Sequence, residues 1–161
     1  HIDRLCKLVT PATITLVGVR LSLNHDSAFS GASEVIIGET NADPSLGKMG
    51  SLGLAHANIS SIGTVRVMNG KITVLGTTAL HVNTFELASA GTVDGTGGSH
   101  SSDELGPGHP WSSSYAASHG GTGYGGMAPY GSVTHPTTTG SGGHTKSRGG
   151  GAVHITASQR Y

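Results

Sequence analysis

Apolar positions along this chain alternate with polar ones at a period of two and almost nowhere at a period of 3.6. Between Leu8 and Leu23, Ile14 and Leu16 form one alternating set, and Val17, Val19, Leu21 and Leu23 form another. Such alternation marks strands with one buried face. The phase slips between Leu16 and Val17, so a bend or bulge is expected near Gly18. Further strands are predicted at Glu34 to Ile37, Ile59 to Val67, Lys71 to Leu75, Ala79 to Val82, Phe85 to Ala88 and Ala152 to Thr156. Turn clusters such as Asn41-Ala42-Asp43-Pro44 and Asn69-Gly70 lie between them. A helical apolar stripe free of Gly, Pro and β-branched clusters is missing throughout, so the chain reads as all-β.

Asn69-Gly70 separates two architectures. As a two-residue type I′ turn it would pair Val67 with Ile72 and Val65 with Val74, four apolar side chains on one face, as in an antiparallel sandwich or meander. A loose repeat favours another arrangement. Ile62-Gly63-Thr64, Leu75-Gly76-Thr77 and Ala90-Gly91-Thr92 each follow an apolar, β-branched or aromatic run, at steps of 13 and 15 residues. Strand, glycine corner and strand, repeated irregularly, is what stacked coils show. The expected fold class is all-β, a short parallel β-helix or solenoid, with an antiparallel β-sandwich as the alternative.

Composition changes after Gly91: of the 27 glycines, 18 fall between Gly91 and Gly151, among Ser, Thr and His. Most of the aromatics, Trp111, Tyr115, Tyr124 and Tyr130, lie there too, each beside glycine, serine or proline. A flexible linker would carry few rings. The expectation is one domain, with strand-rich coils over residues 1–95, a long ordered Gly/Ser/His-rich loop over 96–150, and a returning strand over 151–161. Trp111, Tyr115, Tyr124 and Tyr130 would anchor the loop by lying on bare glycine backbone, and Trp111 and Tyr130 would be substantially buried.

The succession GTVDGTGG, SHGGTGYGG, YGSVTHPTTTGSGG and GGGAVHITA, over about residues 85 to 157, resembles the glycine-rich segment of extracellular β-helix proteins of the pectin-lyase-like type. The resemblance implies that a strand ends at a small turn, that a Gly-rich excursion crosses the solenoid, and that a GGGA-led strand resumes the coils. It informs fold far more than activity, because one architecture hosts many functions. Within this sequence the resumed strand has no following coil, so it is expected to seek a partner elsewhere.

Charge narrows the function classes. Lys plus Arg equals Asp plus Glu, nine each, and only 11% of residues are charged. With no cationic stripe to neutralise phosphates, nucleic acid is not expected as a partner. No apolar stretch approaches the roughly 20 residues of a membrane span. Cys6 is the single cysteine, so no intrachain disulfide forms. Asn58-Ile59-Ser60 is an N-glycosylation acceptor sequence, which makes Asn58 the candidate modification site of an extracellular, secreted chain. The sequence begins at His1, without methionine or signal peptide, as a processed mature chain or a fragment of a longer one would.

Candidate chemistry is sparse. Gly140 is followed by Thr145-Lys146-Ser147, which has the lysine of a phosphate-binding loop but neither its second glycine nor a helix to follow. The ten histidines form no H-x-H and no i, i+4 pair, so no metal site is expected. Asp103 and Glu104 are the only adjacent acids, and neighbours on a strand face opposite ways, so paired carboxyls for glycoside cleavage are not expected. No G-x-S-x-G elbow occurs. Thr13-Ile14-Thr15 and Thr137-Thr138-Thr139 are too few for the threonine rank of an ice-binding face. The expectation is therefore neither an enzyme nor a cofactor-dependent protein. It is a structural extracellular protein, a filament or matrix subunit that assembles as a homo-oligomer by strand addition through Ile14, Leu16, Val153 and Ile155. The alternative is a carbohydrate-binding or adhesion module whose aromatic rings stack on sugars.

Overall fold

The computed structural model describes residues 7–9, 13–18, 20–24, 28–39, 49–99, 106–110, 117–124, 128–135, 137–143 and 148–159. Eleven strands and no helix occur among them: β1 (Lys7–Val9), β2 (Thr13–Leu16), β3 (Arg20–Asn24), β4 (Ala28–Ser30), β5 (Glu34–Ile37), β6 (Gly50–Ala55), β7 (Asn58–Val67), β8 (Gly70–Leu75), β9 (Thr77–Leu87), β10 (Thr92–Asp94) and β11 (Ala152–Ala157). The chain forms two compact units, one of His1–Thr73, Thr78–Asp94 and His154–Tyr161, the other of Val74–Thr77 and Gly95–Val153.

Successive strands do not pair with each other. Sheet order is β10-β8-β6-β3 in a four-stranded sheet, β11-β9-β7-β5-β2 in a five-stranded sheet, and β1-β4 in a pair. The pairs β1–β4, β2–β5, β3–β6, β5–β7, β7–β9 and β8–β10 are all parallel. The N–H of Ala152 donates to Gly76 O at 2.9 Å and that of Ser158 to Val82 O at 3.1 Å, so β11 and β9 also advance together. These pairings exclude the antiparallel sandwich for the described strands. The expected Asn69-Gly70 hairpin is likewise corrected: β7 and β8 belong to different sheets, and Val67 stands opposite Ile37 and Leu87. A type I′ turn requires positive φ at both central residues, and neither Asn69 nor Gly70 has it.

What Gly70 provides is close approach. A Cβ there would lie 2.7 Å from Ile37 O and 2.9 Å from Gly50 O. Gly50 sits in the same way on Leu16 O, and Gly91 on Val67 O, where a Cβ would collide with the carbonyl. Each of these carbonyls also accepts a backbone bond from the next pass of the chain: Leu16 O from Gly38, Ile37 O from Met68 and Val67 O from Ala88. Gly50, Gly70 and Gly91 thus form a column of corners that brings each pass down onto the last. The predicted bend near Gly18 is a further corner, with φ +64°.

Parallel register aligns like with like. On the inward face of the five-stranded sheet, Ile14, Val35, Val65 and Phe85 form one ladder, and Leu16, Ile37, Val67 and Leu87 another. Leu23 and Leu54 pair similarly in the four-stranded sheet. Val35, Ile37, Leu54, Val67 and Ile72 are all buried, and full burial of such side chains stabilises by roughly 1.5–3 kcal/mol each. Apart from Ile36, the outward positions around Arg66 are polar: Arg66 lies 3.1 Å from Glu34 and 3.3 Å from Glu86, the glutamates of the two flanking strands. Half-exposed pairs of this kind contribute little to stability. The column Thr13, Glu34, Thr64, Thr84 is not a threonine rank.

The second unit has few strand residues and is held by single hydrogen bonds and glycine contacts. Tyr130 is its hub. Gly108 N–H donates to Ser141 Oγ (2.9 Å), Ser141 O–H to Tyr130 Oη (2.8 Å), and Tyr130 O–H to Thr139 O (2.7 Å). The ring lies over Gly108, where a Cβ would come within 2.6 Å of it, and meets His119 edge-on at 4.9 Å between centroids.

Candidate assembly edges and surface clefts

The margins of the five-stranded sheet are β2 and β11. Along a strand, backbone N–H and C=O groups of alternate residues point to opposite sides. Since Ala152 and Ser158 direct their N–H groups toward β9, Val153, Ile155 and Ala157 direct theirs away from it. Since Leu16 O accepts from Gly38, Leu16 and Ile14 turn their polar groups toward β5, and Thr13 and Thr15 present theirs at the margin. Both margins therefore carry main-chain groups suited to another strand.

The four side chains singled out by sequence fall on these margins. Ile14 and Leu16 continue the ladders of Val35 and Ile37 and face inward, with Ile14 half-buried and Leu16 buried. Val153 and Ile155 are half-buried on β11. Sequence reasoning missed a third open stretch. Among the described residues, the last to bond to β9 from this side is Gln159, whose N–H donates to Asn83 O at 2.9 Å. Beyond that point Phe85 is half-buried, and Leu87, last in a ladder whose inner members are buried, is 51% exposed. Only the sheet order reveals this, because Phe85 and Leu87 look like any other alternating pair.

The aromatic candidates are dispersed. Trp111 and Tyr115 lie outside the described residues. Tyr130 is half-buried in the network above. Tyr124 is 76% exposed, so the expectation of a ring buried on glycine backbone is corrected for it. Asn58 is exposed at the start of β7, as a modifiable asparagine must be.

Open clefts occur among the described residues. One, of about 360 Å³, is lined by Ile62, Gly63, His81, Val82, Asn83, Thr156 and Ser158. Another, of about 390 Å³, is lined by His119, Thr138, Gly140 and residues 150–153. Neither lining includes a carboxylate. His81, which lines the first, also meets the ring of His154 edge-on at 6.5 Å, and Ser158 O–H donates to Asn83 Oδ1 at 3.2 Å. Compared with protein-family models, curated proteins and solved structures, the chain matches none.

Proposed function

We propose that this chain is a structural, extracellular β-helix protein of the pectin-lyase-like kind that assembles with copies of itself by strand addition. The single observation that carries the reading is that a five-stranded parallel sheet ends on both sides in strands with outward main-chain groups and half-buried apolar side chains, Ile14 on β2 and Val153 and Ile155 on β11. The β-helix is supported by the spacing of paired residues: Lys7 and Ala28, Thr13 and Glu34, and Lys71 and Thr92 are each 21 apart, and Thr64 and Thr84 are 20 apart. Arg20 and Ser51, and Glu34 and Thr64, are 31 and 30 apart, so one turn is about ten residues longer than the others, as irregular coils allow.

Parallel edges join head to tail, and a head-to-tail contact that does not close builds a filament. Main-chain ladders supply the affinity and the inward apolar side chains set the register. The balanced charge removes long-range repulsion, so assembly is expected to depend little on salt. Natural sheet edges are usually blunted by charge or proline; here Arg20 lies beyond β2, and β11 has no charged residue.

Val153→Pro tests this directly. It removes an N–H that points away from β9, so the β9 ladder keeps its bonds and only the added strand loses one. Electron microscopy and sedimentation are expected to show filaments or large oligomers for the parent and mainly monomers for the variant. If both run as equally stable monomers at high concentration, the assembly reading is wrong. Exposed Tyr124 supports a second, carbohydrate-binding reading, and that result would put it first. In either reading the protein is not a glycosidase: incubation with neutral or acidic polysaccharides is expected to release no reducing ends, and their release would overturn the non-enzymatic assignment.

A further inference from the structure

We propose that His81 and His154 together bind a divalent transition-metal ion of the copper, nickel or zinc class on the outer face of the β9–β11 pair. The inference is independent of the assembly reading.

His81 and His154 lie on neighbouring strands although they are distant in sequence, so no local motif signals them. Both side chains are exposed, and the ring centroids are 6.5 Å apart with the planes at 83°. A bridging ion needs a nitrogen of each ring about 2.0–2.1 Å away. Exposed imidazoles reach such a geometry by side-chain rotation, without moving the strands. Imidazole nitrogen is a preferred ligand for copper, nickel and zinc. The cleft that His81 lines adds Asn83, Thr156 and Ser158, which are neutral oxygen-bearing groups suited to holding the ion's remaining waters, and its described lining includes no Lys or Arg to repel a cation. The order of affinity then follows the general series for divalent first-row ions, copper above nickel and zinc. Bound metal would fasten β11 to β9 across the long excursion that separates them in the chain, and would stabilise the folded state by mass action.

Titration of the full chain with copper and zinc chlorides, followed by calorimetry, thermal melts and electron paramagnetic resonance of the copper form, tests the proposal. The parent is expected to bind one ion at this site, copper more tightly than zinc, with a two-imidazole copper signal and a raised Tm. His81→Asn and His154→Asn are each expected to weaken that site at least tenfold while leaving the metal-free Tm unchanged, since both side chains are exposed. The double variant should bind no more tightly than either single one, because one imidazole alone forms no chelate and the double variant lacks both. Equal metal-induced shifts in the parent and both single variants would overturn the proposal by placing the binding on other histidines. The absence of any shift at millimolar metal would overturn it as well.

Discussion

Replacing Gly50 by alanine is expected to destabilise the protein by about 2–3 kcal/mol, although it adds only one methyl group. The added Cβ would collide with Leu16 O and come within 2.6 Å of Gly38 N. Those atoms are joined to each other by a 2.9 Å hydrogen bond. Neither can retreat without breaking the contact that seats one pass of the chain on the previous one, so the cost combines overpacking with a lost backbone bond. For a chain of this size, thermal melts should fall by about 5–10 °C. Gly121→Ala is the control: a Cβ there meets nothing within 4 Å, and the change is expected to stay within about 0.5 kcal/mol. Equal shifts for the two variants would show that the corner column does not constrain the fold. A loss confined to Gly50 would extend the same expectation to Gly70 and Gly91.

That column also explains which parts of the fold the sequence made legible. The alternation of Glu34 to Ile37, Ile59 to Val67 and Lys71 to Leu75 survives into β5, β7 and β8 nearly residue for residue, because a slip of one residue would turn every apolar side chain away from the core. β6 escaped notice. Its sequence, GSLGLA, looks like a turn, yet Leu52 and Leu54 are buried in the core; the glycines are there for proximity, since a Cβ on Gly53 would meet Ser22 Oγ at 3.2 Å. The repeat of Ile62-Gly63-Thr64, Leu75-Gly76-Thr77 and Ala90-Gly91-Thr92 pointed toward parallel passes for a partly mistaken reason. Gly63 lies within β7, Gly76 between β8 and β9, and Gly91 before β10, so the three are not equivalent corners. The equivalent ones, Gly50, Gly70 and Gly91, share no sequence context, because what they share is a carbonyl from a distant strand. The candidate site was legible in the same partial way. Val153 and Ile155 announce an apolar strand, but that β11 ends before Phe85 and the half-exposed Leu87, and that His154 comes beside His81, depends on pairings made across the whole glycine-rich segment.

The unit containing that segment offers the other large effect, at Tyr130. Tyr130→Ala is expected to cost about 3–5 kcal/mol, the usual range for deleting an aromatic ring from a packed site. The ring is the surface on which Gly108 lies and against which His119 packs. Tyr130→Phe separates ring from hydroxyl. It keeps the packing but removes the acceptor of the Ser141 O–H and the donor to Thr139 O, so each of these groups loses one hydrogen bond, at about 1–3 kcal/mol in all. The effect should be local, because the N–H groups nearest the network, those of Gly108, Ser118 and Gly120, bond to Ser141 Oγ, Gly108 O and Tyr130 O. Amide exchange at these three positions is expected to quicken in the phenylalanine variant by about tenfold to a hundredfold. Exchange at Ile37 and Val67, buried in the other unit, should not change. Unaltered exchange at Gly108, Ser118 and Gly120 would show that the hydroxyl chain does not order the loop. Exchange across residues 97–148 of the parent as fast as in an unfolded peptide would show that nothing does.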